Sequence, residues 1–345
     1  MKSINVTKDR KIGPDEPVFI TVDIGKNHNG SIKEAKWLID KAVEAKVDAV
    51  KFQTHIVDDE IRKNVKIISP HFKQVDRYSW VKQNTMSRDW WEEIINYAKK
   101  KKIIFYSTPM STAAGDLLDS LGVPMFKVGS ADVSDLFMIE NLARKKKPII
   151  LSTGMHKLED VSLAVKTIRK YSDKIVLMHC VSEYPCPPEH LNLNIIKTLR
   201  DKFDLPVGLS DHVLEIETTC AAVALGAVAV EKHFSRSRNQ IGPDHKVSLT
   251  PSELADMVKR IRNVERSLGS SDKKILNGET SFVKLFHKSI TSRVYIPKGS
   301  VISLDMLTTK RPGDGIYAKD VDKVVGKTSK KDILQDQLIK FKDLK

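Results

Sequence analysis

The sequence predicts an α/β chain, a (β/α)8 barrel followed by a small β-rich terminal domain, and three observations carry that prediction. Eight short apolar runs, at 18–23, 49–54, 103–108, 125–130, 148–153, 175–180, 206–212 and 227–233, alternate with longer segments of helical period. The runs are continuously apolar, as strands covered on both faces must be. Eight strand-helix repeats in about 250 residues is the arithmetic of a closed parallel barrel. An open doubly wound sheet is the rival. It is weakened because Gly25-Lys26-Asn27-His28-Asn29-Gly30, after the first run, has the wrong spacing for a dinucleotide-binding turn.

Residues 1–16 are polar and mixed in charge, with no apolar signal-peptide core. After the first run, Ser31 and Glu34 form a capping box, and Leu38, Ile39, Ala42 and Val43 fall on one helical face. The last repeat closes with Thr250-Pro251-Ser252-Glu253, a cap, a proline at the first helical position and a capping carboxylate, leading into a helix to 268. Residues 1–268 are therefore assigned to the barrel and the polar stretch 269–283 to a linker. In 284–345 the pattern changes to short strands at 289–296, 301–307 and 337–341, with the turn Pro297-Lys298-Gly299-Ser300. A unit of about 60 residues buries little surface by itself and is expected to dock.

Composition narrows the function. With 41% hydrophobic and 30% charged residues the chain is globular, not disordered. The net charge of +14 admits a nucleic-acid or anionic-surface partner, but also a small anionic substrate. No helix-turn-helix, zinc-finger or aromatic RNA-binding motif supports a nucleic acid. No apolar stretch approaches the roughly 20 residues that span a bilayer. Cys180, Cys186 and Cys220 are odd in number and lack CxxC spacing, so a disulfide framework is not expected and a cytoplasmic location is.

In such a barrel, reactive groups project from the C-terminal ends of strands. The polar residues cluster there: Asp23, Asn27 and His28; Lys51 and Gln53; Ser107 and Thr108; Lys127, Ser130 and Asp132; Ser152 and Thr153; His179, Ser182 and Tyr184; Ser210, Asp211 and His212; Glu231 and His233. Lys51 and Lys127 interrupt apolar strands, where an unpaired ammonium is expensive, so something anionic should meet them. With the hydroxyls of Thr108, Ser130, Ser152 and Ser210 they form a natural cradle for a phosphate and a carboxylate. A Schiff-base lysine is one rival. Simple pairing with Asp23 or Glu231 is the other. His212 and His233 end neighbouring strands and can share a divalent ion, with Asp211, Glu231 or Asp244 supplying an acid ligand or a supporting hydrogen bond. Cys180 and Cys186 read as core or loop thiols without a base to activate them.

These stretches resemble the sialic acid synthase family, the N-acetylneuraminate synthases and related nonulosonic acid synthases. The resemblance rests on Asn27-His28-Asn29-Gly30-Ser31, Lys51-Phe52-Gln53-Thr54, Lys127-Val128-Gly129-Ser130, Ser152-Thr153-Gly154-Met155, Ser210-Asp211-His212, Glu231-Lys232-His233-Phe234 and Gly242-Pro243-Asp244. Lys310-Arg311-Pro312-Gly313-Asp314-Gly315 looks like that family's antifreeze-like (SAF) module. The resemblance implies condensation of phosphoenolpyruvate with an open-chain N-acetylmannosamine-type aldehyde and release of phosphate. It assigns phosphoenolpyruvate contacts to Lys51, Thr108, Lys127, Ser130, Ser152, Tyr184 and Ser210. It assigns a divalent metal, manganese with magnesium or cobalt as alternatives, to His212 and His233. Sugar recognition falls to Gln53, Asp244, the carboxylates at the mouth and Arg311, and the module is expected to cover a partner's barrel in a domain-swapped homodimer, with Arg311 folding over its own barrel as the alternative.

Three positions depart from the family pattern. Asp23 and Asp132 stand where glutamates are usual, and Ser182 where asparagine is frequent. Both carboxylates are thus one methylene short, which points to a sugar other than N-acetylmannosamine. Synthases of legionaminic, pseudaminic or spore-coat sugars are the enzymatic alternatives, and a degenerate sugar-binding barrel is the non-enzymatic one.

Overall fold

The computed structural model describes residues 1–63, 68–69, 72–83, 85–242 and 244–345, with the side chains of 68, 69, 72–77 and 80 omitted; Pro243, within one of the stretches quoted above, lies outside the described residues. The chain divides into two compact units, Met1–Gly269 and Ser270–Lys345.

The first unit is built on eight parallel strands: β1 (Phe19–Gly25), β2 (Ala49–Thr54), β3 (Ile104–Pro109), β4 (Phe126–Val128), β5 (Ile149–Ser152), β6 (Ile175–Cys180), β7 (Val207–Asp211) and β8 (Ala229–His233). They pair in chain order, and β8 closes on β1. Alternate residues of a strand point to opposite faces. Thus Ile20, Val22 and Ile24 of β1 pack outward with Leu38, Ile39 and Ala42 of helix Ile32–Glu44. Phe19 points inward and meets Ala49, Tyr106, Met125, Ile150, Val176 and Ala229 from the other strands.

The helices start where the sequence signals them. Ser31 Oγ accepts from Glu34 N at 3.2 Å. The reciprocal half of that capping box is not made, because the Glu34 carboxylate takes a stronger partner in the Arg236 guanidinium at 2.8 and 2.9 Å. The box at Thr250 and Glu253 is complete, opening helix Pro251–Leu268.

The polar N-terminus also has a structure that its composition concealed. Ile4–Asn5 and Lys11–Ile12 form an antiparallel pair. Ile4, Val6 and Ile12 fill the N-terminal end of the barrel against its lowest inward layer. Arg10 holds this plug by donating to Asp48 at 2.7 Å and to the carbonyls of Pro17 and Val18 at 2.8 and 3.1 Å. With the floor sealed, the inward polar residues can open only toward the C-terminal ends.

In the second unit the expected strands are shorter. β9 (Ser289–Ser292) pairs antiparallel with β10 (Leu307–Lys310), while 301–307, expected as a strand, carries the 3-10 turn Leu304–Met306. The segment 337–341 contributes a single bridge, Thr291 to Leu338. Tight turns wrap a small core of Ile290, Ile296, Ile302, Leu307, Ile333 and Ile339, so alternation survives where long ladders do not. The expected linker also contains the turn Asn277–Glu279, capped by Glu279 accepting from Leu276 N at 2.8 Å, and the start of helix Thr280–Phe286. Among the described residues, no helix is long and apolar enough to cross a membrane.

Candidate active site

Strand parity sorts the polar strand-end residues into two sets. Asp23, Lys51, Gln53, Thr108, Lys127, Ser152, Cys180, Ser210, Glu231 and His233 share the inward parity of Phe19, Ala49 and Tyr106. Ser107, His179, Asp211 and Lys232 have the opposite parity. They are satisfied among the helices: Ser107 by Thr54 at 2.7 Å, His179 by the Leu191 carbonyl and Lys232 by Asp211 at 3.1 Å. Asp211 also accepts from Val213 N and from the hydroxyls of Thr218 and Thr219. It is fully committed, which removes it as an acid ligand. Asn27 bonds the Phe234 carbonyl and Ser248, and His28 accepts from Gly30 N while packing on Trp90, so both are framework residues.

At the centre of the barrel lies a buried charge cluster. Lys127 Nζ contacts both Glu231 oxygens at 2.7 Å. Lys51 Nζ contacts Asp23 Oδ2 at 2.8 Å, Glu231 Oε1 at 3.2 Å and Thr108 Oγ1 at 3.4 Å. Ser210 Oγ and Tyr106 OH donate to Glu231 at 3.0 and 3.4 Å. All four charged side chains are at most 5% exposed, so the two ammoniums and two carboxylates neutralise one another where unpaired charge would be prohibitive. Pairing of the lysines with Asp23 and Glu231 is therefore what the structure contains. Glu231, read from sequence only as a possible counter-ion or acid ligand, is the hub.

The protonation states follow. Burial pushes the Glu231 carboxyl up, but Lys127 and Lys51 outweigh it and hold the group well below the usual carboxylate range. Burial disfavours the Lys51 ammonium, and Asp23 and Glu231 reverse that, so Lys51 stays charged. Lys127 lies below the usual lysine value because burial, reinforced by Lys51, exceeds what Glu231 restores.

Above this cluster stand the two imidazoles. The His212 and His233 ring centroids are 5.4 Å apart, and Tyr184 packs on His212 at 4.0 Å. His212 Nδ1 donates to the Val181 carbonyl at 2.7 Å, which leaves Nε2 as its lone-pair nitrogen. His233 Nδ1 lies 3.6 Å from Asp23 Oδ2. His233 Nδ1 and Asp23 Oδ1 are both buried and have no hydrogen-bond partner among the described residues. Two adjacent imidazoles beside an unsatisfied buried carboxylate oxygen are a donor set that suits a divalent ion. Among the described residues no group of three protein ligands is assembled for one. Burial raises the Cys180 thiol, but His212 beside it brings it down to about 7.

Two glycines mark where ligand groups could sit. Gly25 has φ +51°, and a Cβ there would lie 3.2 Å from Gln53 Nε2 and 3.4 Å from both Asp23 Oδ1 and Asp244 Oδ2. A Cβ on Gly154 would lie 2.7 and 2.9 Å from Ser182 Oγ and Ser130 Oγ, and Gly154 N donates to Ser130. Gln53, Asp23 and Asp244 thus converge on one side of the mouth, and Ser130 and Ser182 on the other. Ser152 is buried on the inward face of β5. Asp132 instead lines an adjoining groove of about 460 Å³ with Asp59, Glu60, Arg62 and Asp135. Arg311 is an exposed residue of the second unit, donating from Nε to the Phe286 carbonyl at 2.9 Å.

Comparisons with known proteins agree with this architecture. Residues 38–273 match the NeuB family and 287–345 the SAF domain. The chain is 37% identical to N,N'-diacetyllegionaminic acid synthase of Campylobacter jejuni, over 93% of this chain and 98% of that one. It is 34% identical to human N-acetylneuraminate-9-phosphate synthase, over 92% and 90% respectively. Among solved structures it is similar to an N-acetylneuraminic acid synthetase of Leptospira borgpetersenii, with a TM-score of 0.74 and 31% identity over 82% of this chain and 95% of that one.

Proposed function

This chain belongs to the NeuB family, and on that premise we propose that its barrel condenses phosphoenolpyruvate with an amino-sugar aldehyde and releases phosphate, yielding a nonulosonic acid. The observation that carries the reading is the buried Lys51–Lys127–Glu231–Asp23 cluster directly beneath His212 and His233. Such a cluster stores two ammoniums in a dry site at no net charge and can present them to an incoming anion.

Among the described residues Lys127 bonds Glu231 alone, and it has an N–H to offer a phosphate or carboxylate. Lys51, Thr108 and Ser210 approach the same volume, with Ser130, Ser152 and Ser182 as uncharged donors. Tyr184 covers His212 and limits water. Gln53, Asp23 and Asp244 suit the hydroxyl and amide groups of a sugar, and Asp132 and Arg311 belong to the same proposal. C3 of phosphoenolpyruvate attacks the aldehyde carbon, whose oxygen takes up a proton; water adds at C2 and gives up a proton, and cleavage of the C2–O bond expels phosphate and leaves a ketone at C2. His212 and His233 would hold a divalent ion, manganese first with magnesium or cobalt as alternatives; when bound it supplies electrophilic polarisation of the aldehyde oxygen.

The sugar is the open variable. The relatives of 34–37% identity carry names for different nonulosonic acids. Asp23 and Asp132 favour an acceptor other than N-acetylmannosamine. A binding-only barrel is disfavoured because it needs neither lysine nor the histidine pair. The test is phosphate release from phosphoenolpyruvate with manganese, against free, 6-phosphorylated and 6-deoxy-diacetamido hexoses. Release with one class identifies the acceptor; none with any, from folded metal-bound protein, refutes the proposal. A cytoplasmic location and a domain-swapped homodimer complete it. Mixing Arg311→Ala with Lys127→Met subunits tests the swap, since it restores activity only where one chain serves another's barrel.

A further inference from the structure

From the position of Asp23 we infer that anion binding at Lys51 and cation binding at the His212–His233 pair are positively coupled, with Asp23 as the element that both ligands move. The inference rests on the proposed function, because it takes the two lysines as the anion site and the two imidazoles as the cation site.

The Lys51 ammonium has three N–H groups, and the oxygens of Asp23, Glu231 and Thr108 face them at 2.8, 3.2 and 3.4 Å. Lys51 is saturated, whereas among the described residues Lys127 contacts only Glu231. An anion that enters the barrel can therefore dock on Lys127 without displacing anything, but it can engage Lys51 only by displacing one of three partners. Glu231 is held by Lys127, Ser210 and Tyr106 as well, and Thr108 carries no charge. Among the described residues Asp23 has Lys51 as its one ion-pair partner other than His233, and its Oδ1 makes no hydrogen bond to any of them. It is the partner that is released.

A released Asp23 is a buried carboxylate without a counter-charge, which is unfavourable by itself. Its Oδ2 already lies 3.6 Å from His233 Nδ1, which makes no hydrogen bond among the described residues. A divalent ion arriving between the two imidazoles meets that charge and removes the penalty. In the opposite direction, a cation that draws Asp23 toward the imidazoles frees one N–H of Lys51 for the anion. The linkage is reciprocal by necessity: each ligand strengthens the other by one shared factor. Asp23 is thus a positioning residue whose charge is handed from an ammonium to a cation, and its short side chain on β1 reaches both. The arrangement favours filling the anion and cation sites together before the sugar aldehyde enters.

The test measures binding, not turnover. Manganese affinity is read by electron paramagnetic resonance with and without saturating phosphoenolpyruvate, and phosphoenolpyruvate affinity by calorimetry with and without manganese, in the full-length protein without sugar. The expected result is a gain of at least about fivefold, equal in both directions, for the native chain. In Asp23→Asn, which keeps the shape and loses the charge, the gain should fall below about twofold while both ligands still bind. Asp244→Asn, which removes a neighbouring carboxylate that does not pair with Lys51, should retain it and thereby exclude a general loss of negative charge as the cause. Independent binding in the native chain, or an unchanged gain in Asp23→Asn, overturns the inference and leaves the proposed function standing. Failure of the folded native chain to bind manganese or phosphoenolpyruvate at all overturns both.

Discussion

Replacing Glu231 by glutamine should expose how the barrel interior is held together. The substitution preserves shape and removes the one charge shared by Lys127 and Lys51, at 2.7 and 3.2 Å, in a site where every partner is at most 5% exposed. Breaking a buried pair by removing one partner costs about 3–5 kcal/mol, since the remaining charge is left uncompensated. For a barrel of this size, roughly 2–4 °C of melting temperature accompanies each kcal/mol, so a fall of about 6–20 °C is expected. Phosphoenolpyruvate should restore part of it, because its anionic groups replace the lost carboxylate between the two ammoniums. The thermal shift on adding it should therefore be larger in Glu231→Gln than in the native chain.

The pH dependence gives a second handle. The Glu231 carboxyl is depressed in the folded state, so its contribution is fully present above the unfolded value of about 4.5 and is lost as pH falls below that. Urea unfolding followed by tryptophan fluorescence should show a shallower acid limb for Glu231→Gln than for the native protein. A melting temperature within 2 °C of native, with an unchanged acid limb, would refute the reasoning that this cluster is charged and mutually neutralising.

Three further outcomes are expected. Gly25→Ala forces a side chain into φ +51° and within 3.4 Å of Gln53, Asp23 and Asp244; steady-state kinetics should show KM for the sugar rising by more than KM for phosphoenolpyruvate. Asp211→Asn should lower thermal stability while leaving manganese affinity, read by titration calorimetry, within twofold, because Asp211 serves Lys232, Thr218 and Thr219. Burial, with His55 and Lys26 adding, lowers the His28 imidazole to about 3, so between about 6.5 and 3 the unfolded chain takes up a proton that the folded chain refuses. Native stability should fall with pH across that window by up to about 1.4 kcal/mol per pH unit for this group, and the slope of urea midpoints should be shallower in His28→Gln.

Much of the architecture was legible in the chain because its signals are local. Eight apolar runs announced eight strands, and Thr250-Pro251-Ser252-Glu253 announced the last barrel helix. The N-terminal plug was not legible, since Ile4, Val6 and Ile12 are separated by polar residues and gain their meaning from the barrel floor they meet. The short strands of the terminal unit were misjudged because bridges between distant segments, such as Val301 with Thr328, leave no periodic trace. At the site, strand parity was available in the sequence and would have separated Ser210 and His212 from Asp211, or Glu231 and His233 from Lys232.

What the sequence determined by itself is the inventory: two lysines in apolar strands, two histidines ending neighbouring strands, and carboxylates gathered at the strand ends. Chain chemistry and period are enough for that, because each residue's type and face depend on its neighbours along the strand. Only the tertiary structure decided who pairs with whom. Closing the barrel brings β8 against β1 and places Glu231 opposite Lys127 from β4, a partner 104 positions away, while Lys51 from β2 is divided between Glu231 and Asp23. Low-dielectric burial then makes those pairings obligatory, for a charge that cannot reach water must be met by whichever charge the fold brings within reach.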